Sequence, residues 1–434
     1  MRARLISLMG IVVLLFIAWL MSNNKRRINY RTVAGGLGIQ FALGFLLLYW
    51  EPGRKAFEWF AALVVSFLNL SLEGSTFLFG NLAKKAYFFT DQSTWPGFGF
   101  QFAFVVLPTI IFFSAFMSIL YYLGVMQKIV KILARIMQKT MGTSGSETLS
   151  VSANIFVGQT EAPLLIRPFL DKMTKSELLT VMVGGFATIA GGVLAGYIGM
   201  GIPAGHLIVA SVMSAPAALV VAKIIYPETE HSATAGDVEM PKIEAGSNLI
   251  DAAARGTTDG LKLAVNVGAM LIAFISLIAF VNWVLGYADK LIDGRLLGGI
   301  LMANGEYKGF VPGSLKTFFG ALLAPLAFLM GVPWSDAGNV GNLLGIKVSV
   351  NEFVAYARLG EYINGGLLST RAQIIATYAL CGFANFSSIG IQIGGISALA
   401  PRRRGDLARL GLRAMFGGAL ASWITATIAG VIIP

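Results

Sequence analysis

Charge is what this sequence has least of. Only 13% of its 434 residues are Asp, Glu, Lys or Arg, against 56% hydrophobic side chains, which is too little to cover a water-soluble globule of this size. With a mean hydropathy of +0.73, the chain belongs in a bilayer. Cysteine is almost absent: Cys381 stands alone inside an apolar run, which excludes a disulfide framework and a thiolate metal site. Histidine is scarce too. His206 sits at the edge of an apolar run and His231 in a polar one, and no HExxH, GxSxG or P-loop signature is present, so an enzyme is not expected. The net charge of +11 does not point to nucleic acid, because the basic residues gather at the ends of apolar runs, as orientation by positive charge requires.

What is present is apolar sequence in lengths that cross a membrane as helices, each needing about 20 residues. The short alternating strands of an outer-membrane barrel are not seen. The expected fold is an all-α polytopic membrane protein with eight transmembrane helices, at residues 5–22, 34–50, 99–124, 178–200, 206–223, 263–288, 372–398 and 414–433. Residues 1–19 look like a signal peptide, but no small-residue cleavage site follows, so they read as a retained first helix. The segments dense in Lys and Arg, 25–31, 128–139, 167–175 and 402–413, fall on one side if the crossings alternate from an outside N-terminus. The polar stretch 226–260 lands on that same cytoplasmic side. Location in a bacterial inner membrane with periplasmic N- and C-termini is the resulting expectation.

Two kinds of segment do not fit a simple crossing. Residues 126–140 place Ile129, Ile132, Leu133 and Ile136 on one helical face and Lys128, Lys131, Arg135 and Lys139 elsewhere, which suits a helix lying in the interface or a solvated connecting helix; residues 54–72 are read likewise on the other side. Residues 142–170 and 317–360 are too interrupted to span and too apolar for loops. They read as re-entrant hairpins, whose non-helical backbone is tolerated at membrane depth only against protein or a wet cavity.

The two hairpins share a pattern. Thr160-Glu161 is followed six positions after the carboxylate by Arg167, and Asn351-Glu352 at the same interval by Arg358. Downstream, Gly-Phe-Ala followed by a polar residue occurs at 185–188 and again at 382–385. An odd number of predicted crossings separates the hairpins, so they enter from opposite faces and the repeat is inverted. Inverted repeats with broken helices are how many secondary transporters build a midplane site. Nothing resembles a channel filter. The repeated crossings, GGFATIAGGVLAGYIGMG and CGFANFSSIGIQIGG, are rich in glycine, which weakens a helix by roughly 1 kcal/mol relative to alanine and makes local unwinding plausible. Domain organisation follows: 1–125 scaffold helices, 126–225 transport domain of the first repeat, 226–290 polar segment and scaffold helix, 291–434 transport domain of the second repeat.

Glu161 and Glu352 are carboxylates in apolar surroundings, where an unpaired charge costs at least roughly 2.5 kcal/mol. Each therefore binds substrate in a solvated cavity or pairs with Arg167 or Arg358. Gln159, Thr160, Asn385, Ser387 and Ser388 are uncharged donors and acceptors that suit a neutral substrate bearing hydroxyls and amides, or else serve as packing glue between helices.

The strings GTSGSE (142–147), SANIFVGQTEAPL (152–164), NEFVAY (351–356) and GFANFSS (382–388) closely resemble the concentrative nucleoside transporter family, over roughly residues 90–434. That resemblance implies a homotrimer of protomers with eight crossings, interfacial helices and two opposed hairpins, whose transport domain moves like an elevator against a trimeric scaffold. It implies import of nucleosides, purine and/or pyrimidine, by cation symport, with sodium as the coupling ion and proton-coupled symport or passive uniport as alternatives. Carried over by position, it places Gln159, Thr160, Glu161 and Val193 on the nucleobase and Glu352, Asn385 and Ser388 on the ribose, with Phe383 packing nearby. Asn154, Val157, Thr188 and Ile189 would hold sodium through oxygen ligands, as a hard cation prefers. Position 188 is often Ser in sodium-driven relatives; Thr keeps the hydroxyl and adds a methyl. The expected partners are thus nucleosides, the lipid bilayer and further copies of the chain, with no nucleic acid.

Overall fold

The computed structural model describes residues 2–87, 99, 101–234, 246–296 and 311–433. Among them every regular element is helical. In chain order these are α1 (Arg2–Leu20), α2 (Tyr30–Gly44), α3 (Glu51–Asn69), α4 (Ser71–Phe79), α5 (Phe102–Tyr122), α6 (Val125–Met141), α7 (Gly145–Ala153), α8 (Lys175–Ala187), α9 (Gly191–Gly199), α10 (Ala204–Ile225) and α11 (Leu249–Asp289). The second half adds α12 (Leu315–Leu329), α13 (Trp334–Ser349), α14 (Glu352–Asn364), α15 (Thr370–Leu380), α16 (Phe386–Leu399) and α17 (Arg404–Ile432). A tight 3-10 stretch, Ala162–Lys172, runs between α7 and α8.

The order from α12 to α17 repeats that from α6 to α10. In each half a helix ends at a left-handed glycine, Gly142 (φ 70°) or Gly331 (φ 97°), where the absence of a Cβ makes the conformation cheap. A helix to the hairpin tip, a return segment, a broken helix and a long helix then follow. The broken helices interrupt at equivalent places. α8 stops at Ala187, Thr188 and Ala190 are extended, and α9 resumes at Gly191. α15 stops at Leu380, and α16 starts at Phe386 after Asn385 caps it by accepting from the Ser388 N–H at 2.9 Å. The long helices α10 and α17 are tied down alike at their C-termini: Ser176 Oγ donates to the Tyr226 carbonyl at 2.6 Å, and Arg371 Nη1 to that of Ile433 at 3.2 Å.

Among the described residues, eight helical stretches are long and apolar enough to cross a membrane, as expected in number, but they are not the same eight. Residues 372–398 run as two short helices, α15 and α16, with an extended break between them like that between α8 and α9, so neither half alone has spanning length. Glu51–Ala83, whose residues 54–72 were expected in the interface, qualifies instead by length and composition. The second hairpin also begins later than expected: α12 is the counterpart of α6, bent by 115° from α13, and the tip lies between α13 and α14. α11 runs unbroken through 263–288. Part of the polar stretch, residues 235–245, lies outside the described residues, as does residue 100 of the expected crossing 99–124.

The core sits where α8, α10, α15 and α17 pack on one another. Their apolar residues, among them Leu178, Val183, Leu219, Ile375 and Ile424, are fully buried. α5 and α11 pack chiefly against each other and present Ile272, Phe280 and Trp283 outward. The basic segments collect at one end. There Arg31 Nη2 donates to the Lys139 carbonyl at 2.6 Å, Arg403 Nη1 to the Leu170 carbonyl at 3.2 Å, and the Asn23 N–H to the Ile225 carbonyl at 3.0 Å. At the other end Arg4 Nε donates to the Ile433 carbonyl at 3.0 Å, so both chain ends lie on one side.

Candidate functional site

The two helix breaks meet. Gly382 has φ 131°, and a Cβ there would lie 2.5 Å from the Phe186 carbonyl oxygen and 2.8 Å from that of Ala187. Only glycine lets the second break press its backbone against the end of α8, so the two Gly-Phe-Ala motifs are back to back. Both hairpin tips converge on this crossing, and each touches both resumed helices. The first tip reaches α9, whose Gly191 N–H donates to the Phe156 carbonyl at 3.0 Å, and α16, where Gln392 Nε2 donates to Gln159 Oε1 at 3.0 Å. The second tip reaches α9 through Tyr197, whose hydroxyl donates to Glu352 Oε1 at 3.3 Å, and α16 through Asn385, whose Nδ2 donates to Glu352 Oε2 at 3.0 Å.

Glu352 is 5% exposed at the start of α14, and Asn351 accepts from the Val354 N–H at 2.9 Å to cap that helix. A carboxylate at a helix N-terminus is favoured by the exposed N–H groups and by the helix dipole. Asn385 is saturated as an acceptor and holder: besides binding Glu352, its Oδ1 accepts from Ser387 Oγ at 2.7 Å and from the Ser388 N–H. Glu352 is not. A carboxylate has roughly four lone-pair sites, and side chains of this chain take two of them here. The alternative of a Glu352–Arg358 pair is not what forms, since Arg358 pairs with Glu361 on the exposed face of α14.

Glu161 differs from Glu352 in being exposed, and it accepts from Thr160 Oγ1 at 3.1 Å. Thr160 packs on α16, where a Cβ at Gly395 would lie 2.6 Å from its Cγ2. Val193 is buried in α9 and Phe383 half-buried in the second break. Ser388 is buried in the first turn of α16.

Asn154, at the C-terminal end of α7, is fully buried with no hydrogen-bond partner for either side-chain atom. Buried amides are normally hydrogen-bonded, and an orphaned one fits a place for an ordered water or ion. It lies against the last turns of α8, since a Cβ at Gly184 would be 3.3 Å from its Nδ2, and there Thr188 Oγ1 donates to the Gly184 carbonyl at 2.9 Å. Thr188 and Ile189 are buried in the first break, and Val157 is half-buried in the tip. Amide, hydroxyl and extended backbone oxygens of this kind fit a small hard cation.

Of the motif residues, Gln159, Asn385 and Glu352 are joined to the resumed helices by hydrogen bonds, whereas Glu161 is exposed. Three partners were not singled out in the sequence. Tyr197 carries no motif signal. Gln392 lies within the glycine-rich string of the second repeat, where a lone amide on an apolar helix was a usable hint. Lys347, a lysine in an apolar stretch of α13, was another.

Comparison with known proteins follows the same lines. Residues 206–430 match the family described as the C-terminus of Na+ dependent nucleoside transporters, and 9–82 match its N-terminus. Residues 103–204 match a nucleoside recognition domain. The chain is 45% identical to the nucleoside permease NupC of Helicobacter pylori over 99% of this chain and 98% of that protein. It is 46% identical to an uncharacterized transporter of Haemophilus influenzae, covering 98% and 97% of the two chains. Against sodium/nucleoside cotransporter 1 of Mus musculus it is 44% identical over 99% of this chain and 64% of that one. Among solved structures, CNTnw in an inward-facing, substrate-bound state superposes with a TM-score of 0.89 at 44% identity, covering 99% and 98% of the chains. A doubly substituted CNTnw in an outward-facing state also reaches 0.89, at 43% identity over 100% and 98% of the chains. These relatives are transporters and permeases, not enzymes, and with matches running along nearly the whole chain, the protein belongs to the Na+ dependent nucleoside transporter family.

Proposed function

We propose that the protein is a cation/nucleoside symporter that imports nucleosides, with sodium as the coupling ion. The observation that carries this reading is the meeting of the two tips: Glu352, held by Asn385 and Tyr197 with acceptor capacity to spare, faces the same helix crossing as Gln159 and the open amide of Asn154. Glu352, Asn385 and Ser388 bind the ribose hydroxyls, with Phe383 packing nearby. An ionised carboxylate accepting from a vicinal diol makes charge-assisted bonds about twice as strong as neutral ones. Gln159, Thr160, Glu161 and Val193 face the nucleobase. Sodium is held by Asn154, Val157, Thr188 and Ile189, which orders the first tip against the unwound segment and thereby completes the nucleoside site.

The transport domain comprises 126–225 and 291–434, and 1–125 with 226–290 form the scaffold of a homotrimer against which it moves as an elevator. Support comes from the contrast between the buried helices α8, α10 and α17 and the outward-facing apolar surfaces of α5 and α11, and from the inward- and outward-facing states of the solved relative. The basic end lies in the cytoplasm and both termini in the periplasm of the inner membrane, as the gathering of cationic segments favours. The test is labelled uridine uptake into proteoliposomes under an inward sodium gradient, with a matched proton gradient as the other drive. Accumulation above equilibrium with sodium alone is expected. Accumulation with protons alone would move the coupling to Glu161 or Glu352, and mere equilibration would make the protein a uniporter.

A further inference from the structure

The two broken helices end in opposite chemical situations. α8 ends beside Asn154, an uncharged amide on the facing hairpin helix that is fully buried and has no partner. α15 ends beside Lys347, which occupies the corresponding place on α13, close to the tip that carries Glu352. Its side chain is 0% exposed, and its ammonium donates to the Ala379 carbonyl at 2.9 Å and to Ser422 Oγ at 2.7 Å. Ser422 in turn donates to the Ala419 carbonyl at 2.9 Å, so its lone pairs are free to accept from Nζ. The last carbonyls of a helix lack intrahelical donors and carry the negative end of its dipole. At the end of α15 a carbonyl and a hydroxyl surround a cationic nitrogen. At the end of α8 a hydroxyl and an amide surround nothing that satisfies that amide.

We infer that the Lys347 ammonium is a tethered cation that does permanently, for the broken helix of the second repeat, what the mobile coupling ion does for the first. The chain therefore carries one sodium ion per nucleoside, and the second break, from which Asn385 reaches Glu352, is ordered whether or not sodium is bound. Lys347 is a positioning residue that acts through α15 and Asn385. The inference rests on the sodium site proposed for the first repeat. It adds the chemical reason why two similar halves need only one ion.

The experiment is equilibrium binding of labelled uridine to the full-length purified protein as a function of sodium, with choline as replacement, for wild type, Lys347→Ala, Lys347→Met and Asn154→Ala. Wild type should saturate with a Hill coefficient near one. Lys347→Ala opens a space lined by the Ala379 carbonyl and Ser422, so its half-saturating sodium concentration should rise about tenfold, equivalent to roughly 1.4 kcal/mol, and its curve should steepen towards two ions. Lys347→Met fills that space with an apolar chain, so uridine binding should fall about tenfold without recovery at high sodium. A purely structural lysine would lower stability in both variants and leave the sodium curve of the folded fraction where it was, which overturns the inference. If neither variant folds, the wild-type ratio decides, because two sodium ions per uridine would overturn it. An unchanged sodium curve in Asn154→Ala would instead sink the first-repeat site, an outcome separable from the failure of Lys347.

Discussion

Glu352 is the residue on which the chemistry turns. It is a buried carboxyl, and Asn385 and Tyr197 donate side-chain hydrogen bonds to it. Replacing it with Gln keeps the size and one acceptor but removes the charge and places an N–H₂ where Asn385 already donates. Hydrogen bonds to charged groups are worth roughly 1.5–3 kcal/mol, so Glu352→Gln should weaken uridine affinity by at least about tenfold in equilibrium binding while the protein elutes as the same folded oligomer. Loss of the folded oligomer together with binding would mean that the carboxylate serves the fold. Two different carboxylates stand at the tips, one buried and one exposed, and this separates their tasks. Glu352 is oriented by Asn385 and Tyr197, whereas Glu161 is exposed at the first tip with Thr160 as its hydrogen-bond donor.

At the scale of the element, the device is the pair of broken helices and the contact between them. Extended backbone at the breaks gives up helical hydrogen bonds, and some are replaced: the Phe156 carbonyl of the first tip takes the Gly191 N–H, and the Asn385 side chain within the second break takes that of Ser388. The crossing depends on Gly382. An L-residue there meets both an unfavourable positive φ, costing roughly 1–2 kcal/mol, and the backbone of Phe186 and Ala187. Gly382→Ala should therefore lower the thermal unfolding midpoint in detergent and depress uridine binding together. Unchanged binding and midpoint would show that the two breaks do not depend on close approach. The foot of the first hairpin is anchored differently, by a buried ion pair of Lys223 with Glu147 at 2.8 Å, to which Ser176 adds a hydroxyl at 2.9 Å from Nζ. Such a pair fixes register more than it adds net stability.

At the scale of the whole molecule, an elevator requires the buried body to slide past α5. α9 and α5 are in contact along their lengths, and a Cβ placed on Gly199 would lie 3.7 Å from that of Val106, close to the separation a disulfide needs. In a Cys381→Ser background, oxidation of a Val106→Cys, Gly199→Cys pair should abolish sodium-driven uridine uptake, and reduction should restore it. Uptake at the uncrosslinked rate with the disulfide formed would rule out sliding of α9 along α5. The apolar faces left outward on α11, around Ile272, Phe280 and Trp283, meet either lipid or a neighbouring protomer, both of which exclude water.

Much of this was legible in one dimension because it rests on local chemistry. Apolar length sets the number of crossings, and the recurrence of a carboxylate six positions before an arginine, followed by Gly-Phe-Ala, exposed the duplication. The motif strings named the tips and the family. Other features depend on which distant residues meet. Residues 372–398 read as one apolar run because hydropathy does not register the break at Gly382, whose conformation is set by the Phe186 backbone behind it. The start of the second hairpin was misplaced because α12 is as apolar as a spanning segment, and only its 115° bend into α13 distinguishes it. Tyr197, Gln392 and Lys347 gain their meaning from partners 155, 233 and 32 residues away, a pairing that no spacing rule encodes. The sequence by itself determined the solvent, the duplication and the residue types at the tips, through hydrophobicity and local pattern. The tertiary structure decided which polar groups satisfy one another in the buried interior and which, like Asn154, are buried there without a hydrogen-bond partner.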